Sequence, residues 1–137
     1  MMVEIQVVDA NNPDSHILGR AASLISKGEI VACPTDTGYA LAANALDPKA
    51  VSKAFDLKGR PYSNPMHVAV SSIGEAKKYA YVSESAEYLA HRFLPGALTL
   101  VLPKKEIVPP LLVGNQDTIG IRIPNNQVIL MLASTTG

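Results

Sequence analysis

Apolar and polar positions alternate over residues 4–8, which predicts a first strand. Asn12, Pro13 and Asp14 then start a helix whose apolar face carries Ile17, Leu18, Ala21, Leu24 and Ile25, with Gly28 as its stop. Residues 30–33 predict a buried strand broken by Pro34, and residues 39–43 a second short strand. Asp47–Pro48 is an N-cap and first-turn pair, and the helix behind it aligns Val51, Ala54, Phe55 and Lys58 along one side. Residues 59–65 are turn formers and predict an ordered loop before a strand at 66–70. Ser72 and Glu75 have capping-box spacing for a short helix. Ala86, Leu89, Ala90 and Phe93 form the stripe of another helix, ended by Pro95–Gly96. Strands at 98–102 and 118–123 flank a proline-rich connection, and 127–133 starts a last helix. The intermixed order predicts a mixed sheet with helices packed on it.

Length and composition narrow this picture. The 137 residues fit one domain, and 47% hydrophobic residues supply a core. Twelve basic and twelve acidic side chains cancel, which disfavours a generic electrostatic nucleic-acid binder. A single cysteine, Cys33, excludes an internal disulfide and a multi-thiolate zinc site, and its strand position predicts a small core residue. No stretch reaches the length of a membrane span and the N-terminus has no signal-peptide pattern, so a cytoplasmic protein without a membrane partner is expected.

The familiar phosphate-loop, dinucleotide, zinc-protease and serine-hydrolase motifs are absent. His16, His67 and His91 lack metal-ligand spacing, and His16 and His91 read as surface positions on helices. The polar clusters lie elsewhere. PTDTGY at 34–39 puts two hydroxyls and a carboxylate at a strand end, either a self-bonded turn or part of a site. Lys58 and Arg60 flank a glycine at a helix end, where they complement the helix dipole or converge on an anion. Thr118 and Arg122 share one face of a short strand, and an inward arginine needs an acidic side chain or a bound carboxylate. These residues describe a site for a small anionic molecule.

Four segments in order, PTDTGYAL at 34–41, KGRPYSNP at 58–65, PGALTLVL at 95–102 and TIGIRIP at 118–124, resemble the YrdC-like domain family, the L-threonylcarbamoyladenylate synthases. The resemblance implies an α/β fold (α+β by strict definition): a twisted mixed parallel and antiparallel sheet with flanking helices around a concave cationic site. It implies a nucleotidyltransferase that condenses L-threonine, bicarbonate and ATP to threonylcarbamoyl-AMP and pyrophosphate, for N6-threonylcarbamoyladenosine in tRNA. Lys58 and Arg60 would be catalytic, holding the ATP phosphates. Thr35, His67 and Arg122 would bind L-threonine, with Arg122 bidentate on its carboxylate, and Asn64 and Thr118 would line the nucleotide side. Mg2+ would arrive on ATP, with tRNA or tRNA-modification proteins as further partners.

The chain departs from the family pattern in several places. Gly38 and Ala40 stand where valine and glycine are common, and Leu94 replaces a tryptophan. Ala69 stands where a histidine is frequent, and His67, two residues earlier on the same strand face, is its candidate substitute. Residues 1–137 are expected to be a single domain lacking its C-terminal portion, since a serine-x-asparagine segment of the family pattern would follow Gly137. The alternative function is a catalytically impaired RNA-binding or regulatory relative. A carbamoyl-transfer relative, of the kind found in hydrogenase maturation proteins, ranks last.

Overall fold

A computed structural model describes residues 4–136. Local chemistry sets the helix starts. Asp14 caps α1 (Ser15–Ser26) by accepting from the His16 and Ile17 amides, and Asp47 caps α2 (Pro48–Lys58) through the Lys49 amide. Ser72 accepts from Glu75 N ahead of α3 (Ile73–Ala76), and Ser83 from Ala86 N ahead of α4 (Glu84–Phe93). A last helix, α5, spans Gln127–Thr136, and a 3-10 turn spans Pro110–Val113. None of these helices is long and apolar enough to cross a membrane.

The strands form two sheets rather than one. Strands β1 (Val31–Thr35) and β2 (Gly38–Ala42) make an antiparallel hairpin around a two-residue turn, Asp36–Thr37. Strands β3 (Val68–Ala69), β4 (Leu100–Pro103) and β5 (Thr118–Arg122) are ordered β3-β5-β4, parallel between β3 and β5 and antiparallel between β4 and β5. The mixed character of the sheet is therefore as expected.

Three element expectations are corrected. Residues 4–8 form no strand: no strand among the described residues pairs with them, and Ile5 and Val7 are 83% and 88% exposed. Pro34 does not break β1. It lies opposite Tyr39, one pair beyond the Thr35–Gly38 pair that closes the turn, where an antiparallel ladder asks for no hydrogen bond from it. The strand expected over 66–70 shrinks to Val68–Ala69, because the Met66 amide turns instead to Leu112 O.

Two apolar clusters carry the packing. The larger buries Phe55, Val51, Ile119, Ile121, Val108 and Val113 between α2, the three-stranded sheet and the 3-10 turn. The smaller joins α1, β1 and α5 through Leu18, Ile25, Cys33, Val128 and Leu132. Alternation in β5 buries Ile119 and Ile121 on one face and leaves Thr118, Gly120 and Arg122 on the other. That second face fronts the space between the two clusters.

Candidate active site in the cleft between the two clusters

A cleft of about 430 Å³ lies there, walled by α2, β3, β5 and α5. Five of the seven singled-out residues line it: Thr35, Lys58, Arg60, His67 and Arg122. Asn64 and Thr118 do not. Asn64 is engaged with Arg60, and Thr118 pairs with Pro103 at the far end of β5, four residues from Arg122.

Each wall has a local cause. Lys58 ends α2, where its charge faces the carbonyl end of the helix, and it has no hydrogen-bond or ion-pair partner among the described residues. Gly59 follows at φ 61°, a left-handed cap that turns the chain back so that Arg60 enters the same cleft. Arg60 is less free than the sequence suggests. Its Nε donates to Asn64 O at 2.9 Å, and its Nη2 donates to Asn64 Oδ1 at 3.2 Å and Pro65 O at 2.8 Å. Arg60 therefore closes its own loop and keeps Nη1 uncommitted.

The hairpin turn answers the question left open at PTDT with both readings at once. Thr35 Oγ1 donates to Gly38 O and accepts from the Thr37 amide, a self-bonded turn. Asp36 instead reaches across the fold. Its Oδ1 accepts from Arg122 Nη2 at 3.0 Å and its Oδ2 from the Asn125 amide at 3.1 Å. The inward arginine thus has an acidic partner. Arg122 Nη2 also donates to Gly96 O, and Nη1 to Thr37 Oγ1 at 3.4 Å, while Nε is buried without a partner. Both bidentate edges of a guanidinium include Nη2, and both Nη2 hydrogens are used. The expected bidentate grip on a carboxylate is thus closed off in this arrangement.

His67 lies over Gly120, so that a methyl group at Gly120 would sit 2.7 Å from His67 Cδ2. Partial burial, and then the charges of Arg122, Arg60 and Lys58, push the imidazole below its usual value. A neutral ring among three cations can accept a hydrogen bond while the cations take an anion. His16 and His91 are exposed, and Cys33 is buried with its thiol pushed up to about 11 by desolvation. Asp36 as the partner of Arg122, and Gly120 as the seat of His67, escaped the sequence reading. A glycine inside TIGIR was the available signal, since a strand glycine marks close approach.

A family model described as telomere recombination, Sua5/YciO/YrdC, matches residues 23–137. The chain belongs to this family. Among curated relatives of this Sua5/YciO/YrdC chain, the threonylcarbamoyl-AMP synthase of Pyrococcus abyssi is 47% identical over 113 residues, 82% of this chain and 33% of that protein. The threonylcarbamoyl-AMP synthase of Bacillus subtilis is 36% identical over 97% of this chain and 39% of its own length. A crystal structure of P. abyssi Sua5 complexed with L-threonine superposes with a TM-score of 0.88 at 42% identity, over 91% of this chain and 37% of that one. The chain spans about a third to a half of the length of three curated relatives it matches. The YrdC-like fold expected from the four motifs is the fold observed.

Proposed function

We propose that this chain forms threonylcarbamoyl-AMP and pyrophosphate from L-threonine, bicarbonate and ATP, acting in the cytoplasm on the path to modified tRNA. The observation that carries the reading is the convergence of Lys58, Arg60, Arg122, Thr35 and His67 on one cleft, in a fold superposable on a Sua5 complexed with L-threonine. The amine of threonine takes up bicarbonate as a carbamate with loss of water. A carbamate oxygen then attacks the α-phosphate of ATP, and pyrophosphate leaves.

No side chain in the cleft is needed as a nucleophile, so positioning and electrostatics supply the rate. Lys58, unpaired and flexible, meets the triphosphate and the charge growing on pyrophosphate. Arg60 contributes its open Nη1 and shapes the loop, with Asn64 acting through it. Thr35, His67 and Arg122 hold threonine, the neutral imidazole accepting from its hydroxyl or amino group. Thr118 would reach only the outer part of the nucleotide, along the sheet face. No cluster of three or more metal-ligating side chains occurs among the described residues, and the cleft is cationic. In this reading Mg2+ arrives on the triphosphate as part of the substrate. The impaired RNA-binding alternative gains no support, since the relatives that match at 36–47% identity carry the synthase name, one of them as putative.

Pyrophosphate release from MgATP, with and without L-threonine and bicarbonate, tests the reading, alongside calorimetric binding of L-threonine. Release that needs both co-substrates is expected. ATP turnover indifferent to threonine, or no threonine binding, would overturn it.

A further inference from the structure

Lys58 and Arg60 reach the cleft from different supports: Lys58 stands on α2, whereas Arg60 stands on the loop at 59–65 that follows it. The guanidinium bonds of Arg60 run to Asn64 and Pro65, so they shape this loop without tying it to the rest of the fold. The ties come from residues outside the cleft wall. Asp56 holds the loop twice, its carbonyl accepting from the Gly59 amide at 3.2 Å and its Oδ1 from the Tyr62 hydroxyl at 3.0 Å. Phe55 also holds it twice, its carbonyl accepting from the Arg60 amide at 3.0 Å and its ring packing on that of Tyr62 with centroids 5.1 Å apart. The one hydroxyl hydrogen of Tyr62 goes to Asp56, so Ser52 Oγ, 3.3 Å away, donates to the Tyr62 oxygen. Gly114, at φ 60°, lets the loop lie close to the turn after the 3-10 helix: a methyl group there would stand 3.2 Å from Tyr62 O and 3.3 Å from Ser63 O. None of Ser52, Phe55, Asp56, Tyr62 and Gly114 lines the cleft.

We propose that Tyr62 is a positioning residue for nucleotide binding: by clamping the middle of the 59–65 loop onto Phe55 and Asp56 of α2, it fixes the direction in which Arg60 presents its open Nη1 to the phosphates. The proposal rests on the function proposed above. Lys58 needs no such help, because its backbone belongs to the helix itself. Arg60 does need it, because a guanidinium bonds a phosphate oxygen only along fixed N–H directions, and two of its three nitrogens are already committed to the loop. With the clamp released, the loop carries Arg60 into arrangements that do not meet the nucleotide, and apparent affinity falls by the fraction of the competent one. Tyr62 is 44% exposed, so its hydroxyl bond competes with water and is the smaller part of the clamp; the ring on Phe55 is the larger.

Calorimetry on the full chain tests this with MgATP and L-threonine titrated separately into wild type, Tyr62→Phe, Tyr62→Ala, Arg60→Lys and both Tyr62 changes in the Arg60→Lys background. Tyr62→Ala removes ring and hydroxyl, and should weaken MgATP by about tenfold while L-threonine shifts less than about twofold. Tyr62→Phe restores the ring and should recover most of the affinity, to within about threefold of wild type; it carries the test if the alanine variant does not fold. Arg60→Lys keeps a charge on the loop but has no fork to aim, so either Tyr62 change should add less than about twofold there. A residue that only supports the fold would weaken both ligands together and by the same factor in both backgrounds. Unchanged MgATP affinity in Tyr62→Ala, equal losses for the two ligands, or an undiminished loss in the Arg60→Lys background would each overturn the positioning role while leaving the synthase reading standing. Absence of MgATP binding to wild type would instead overturn the nucleotide reading, and this role with it.

Discussion

Replacing Gly120 by alanine asks whether the seat of His67 matters to the site as well as to the fold. The new methyl would stand 2.7 Å from His67 Cδ2 and 3.3 Å from Thr99 Cγ2. Ordinary contact begins near 3.4 Å, so the threonine needs only a small adjustment and the imidazole must leave. His67 sits at the solvent-exposed rim and has somewhere to go. Overpacking relieved by a moving side chain costs about 1–3 kcal/mol. Against this, alanine restricts the unfolded chain and returns about 0.4–1 kcal/mol, as Gly120 carries no positive φ that alanine would strain. The net loss of stability should therefore lie between about zero and 2.6 kcal/mol. L-Threonine affinity should fall as well, by about tenfold, because the displaced ring takes its acceptor out of the cleft. Urea denaturation with an unchanged m-value reads the first quantity and calorimetry the second. The decisive comparison is the same substitution in a His67→Ala background, where it should cost little of either. An equal cost with and without His67 would refute the steric reasoning.

Lys58→Ala should abolish MgATP binding and leave urea stability within about 0.5 kcal/mol of wild type, because Lys58 has no hydrogen-bond or ion-pair partner among the described residues. Arg60→Ala should also lose nucleotide, but it should cost about 1–2 kcal/mol as well, since it strips the donors from Asn64 O and Pro65 O. His67 resists protonation in the fold, so the unfolded chain takes up its proton first. Stability should hold above about pH 6.5 and decline as the pH drops below it, with the decline shallower in His67→Gln. Cys33 is the opposite case: its folded value near 11 lies above the ordinary 9.0, so its contribution is intact below pH 9 and is lost as the pH rises towards 11. Disulfide-exchange labelling at pH 8 should accordingly be slow in the native protein and fast in urea.

The legible parts of this protein are those whose causes lie within a few residues. Asp14, Asp47 and Ser72 cap helices by accepting amides two or three positions away, so composition and spacing suffice to find them. The four motif segments likewise name their residues directly. The sequence also required some partner for Arg122, because a strand that buries Ile119 and Ile121 on one side must hold its arginine on the other. Which partner was beyond it. Asp36 is 86 positions away, and the two meet only because the hairpin turn and the end of β5 are brought to one corner. The same holds for Pro34, whose tolerance depends on its ladder pair, and for residues 4–8, whose alternation is that of a strand but which find no edge to join. Arg60 is a subtler case: its partners are only four and five residues on, yet a loop must close before its donors are consumed. Sequence therefore determined the helices, the family and the side chains of the cleft, because those follow from local propensity and residue identity. Tertiary structure alone decided which donors remain free there, because hydrogen-bond partners are assigned by proximity in space, and each bond made within the fold removes a donor from the ligand.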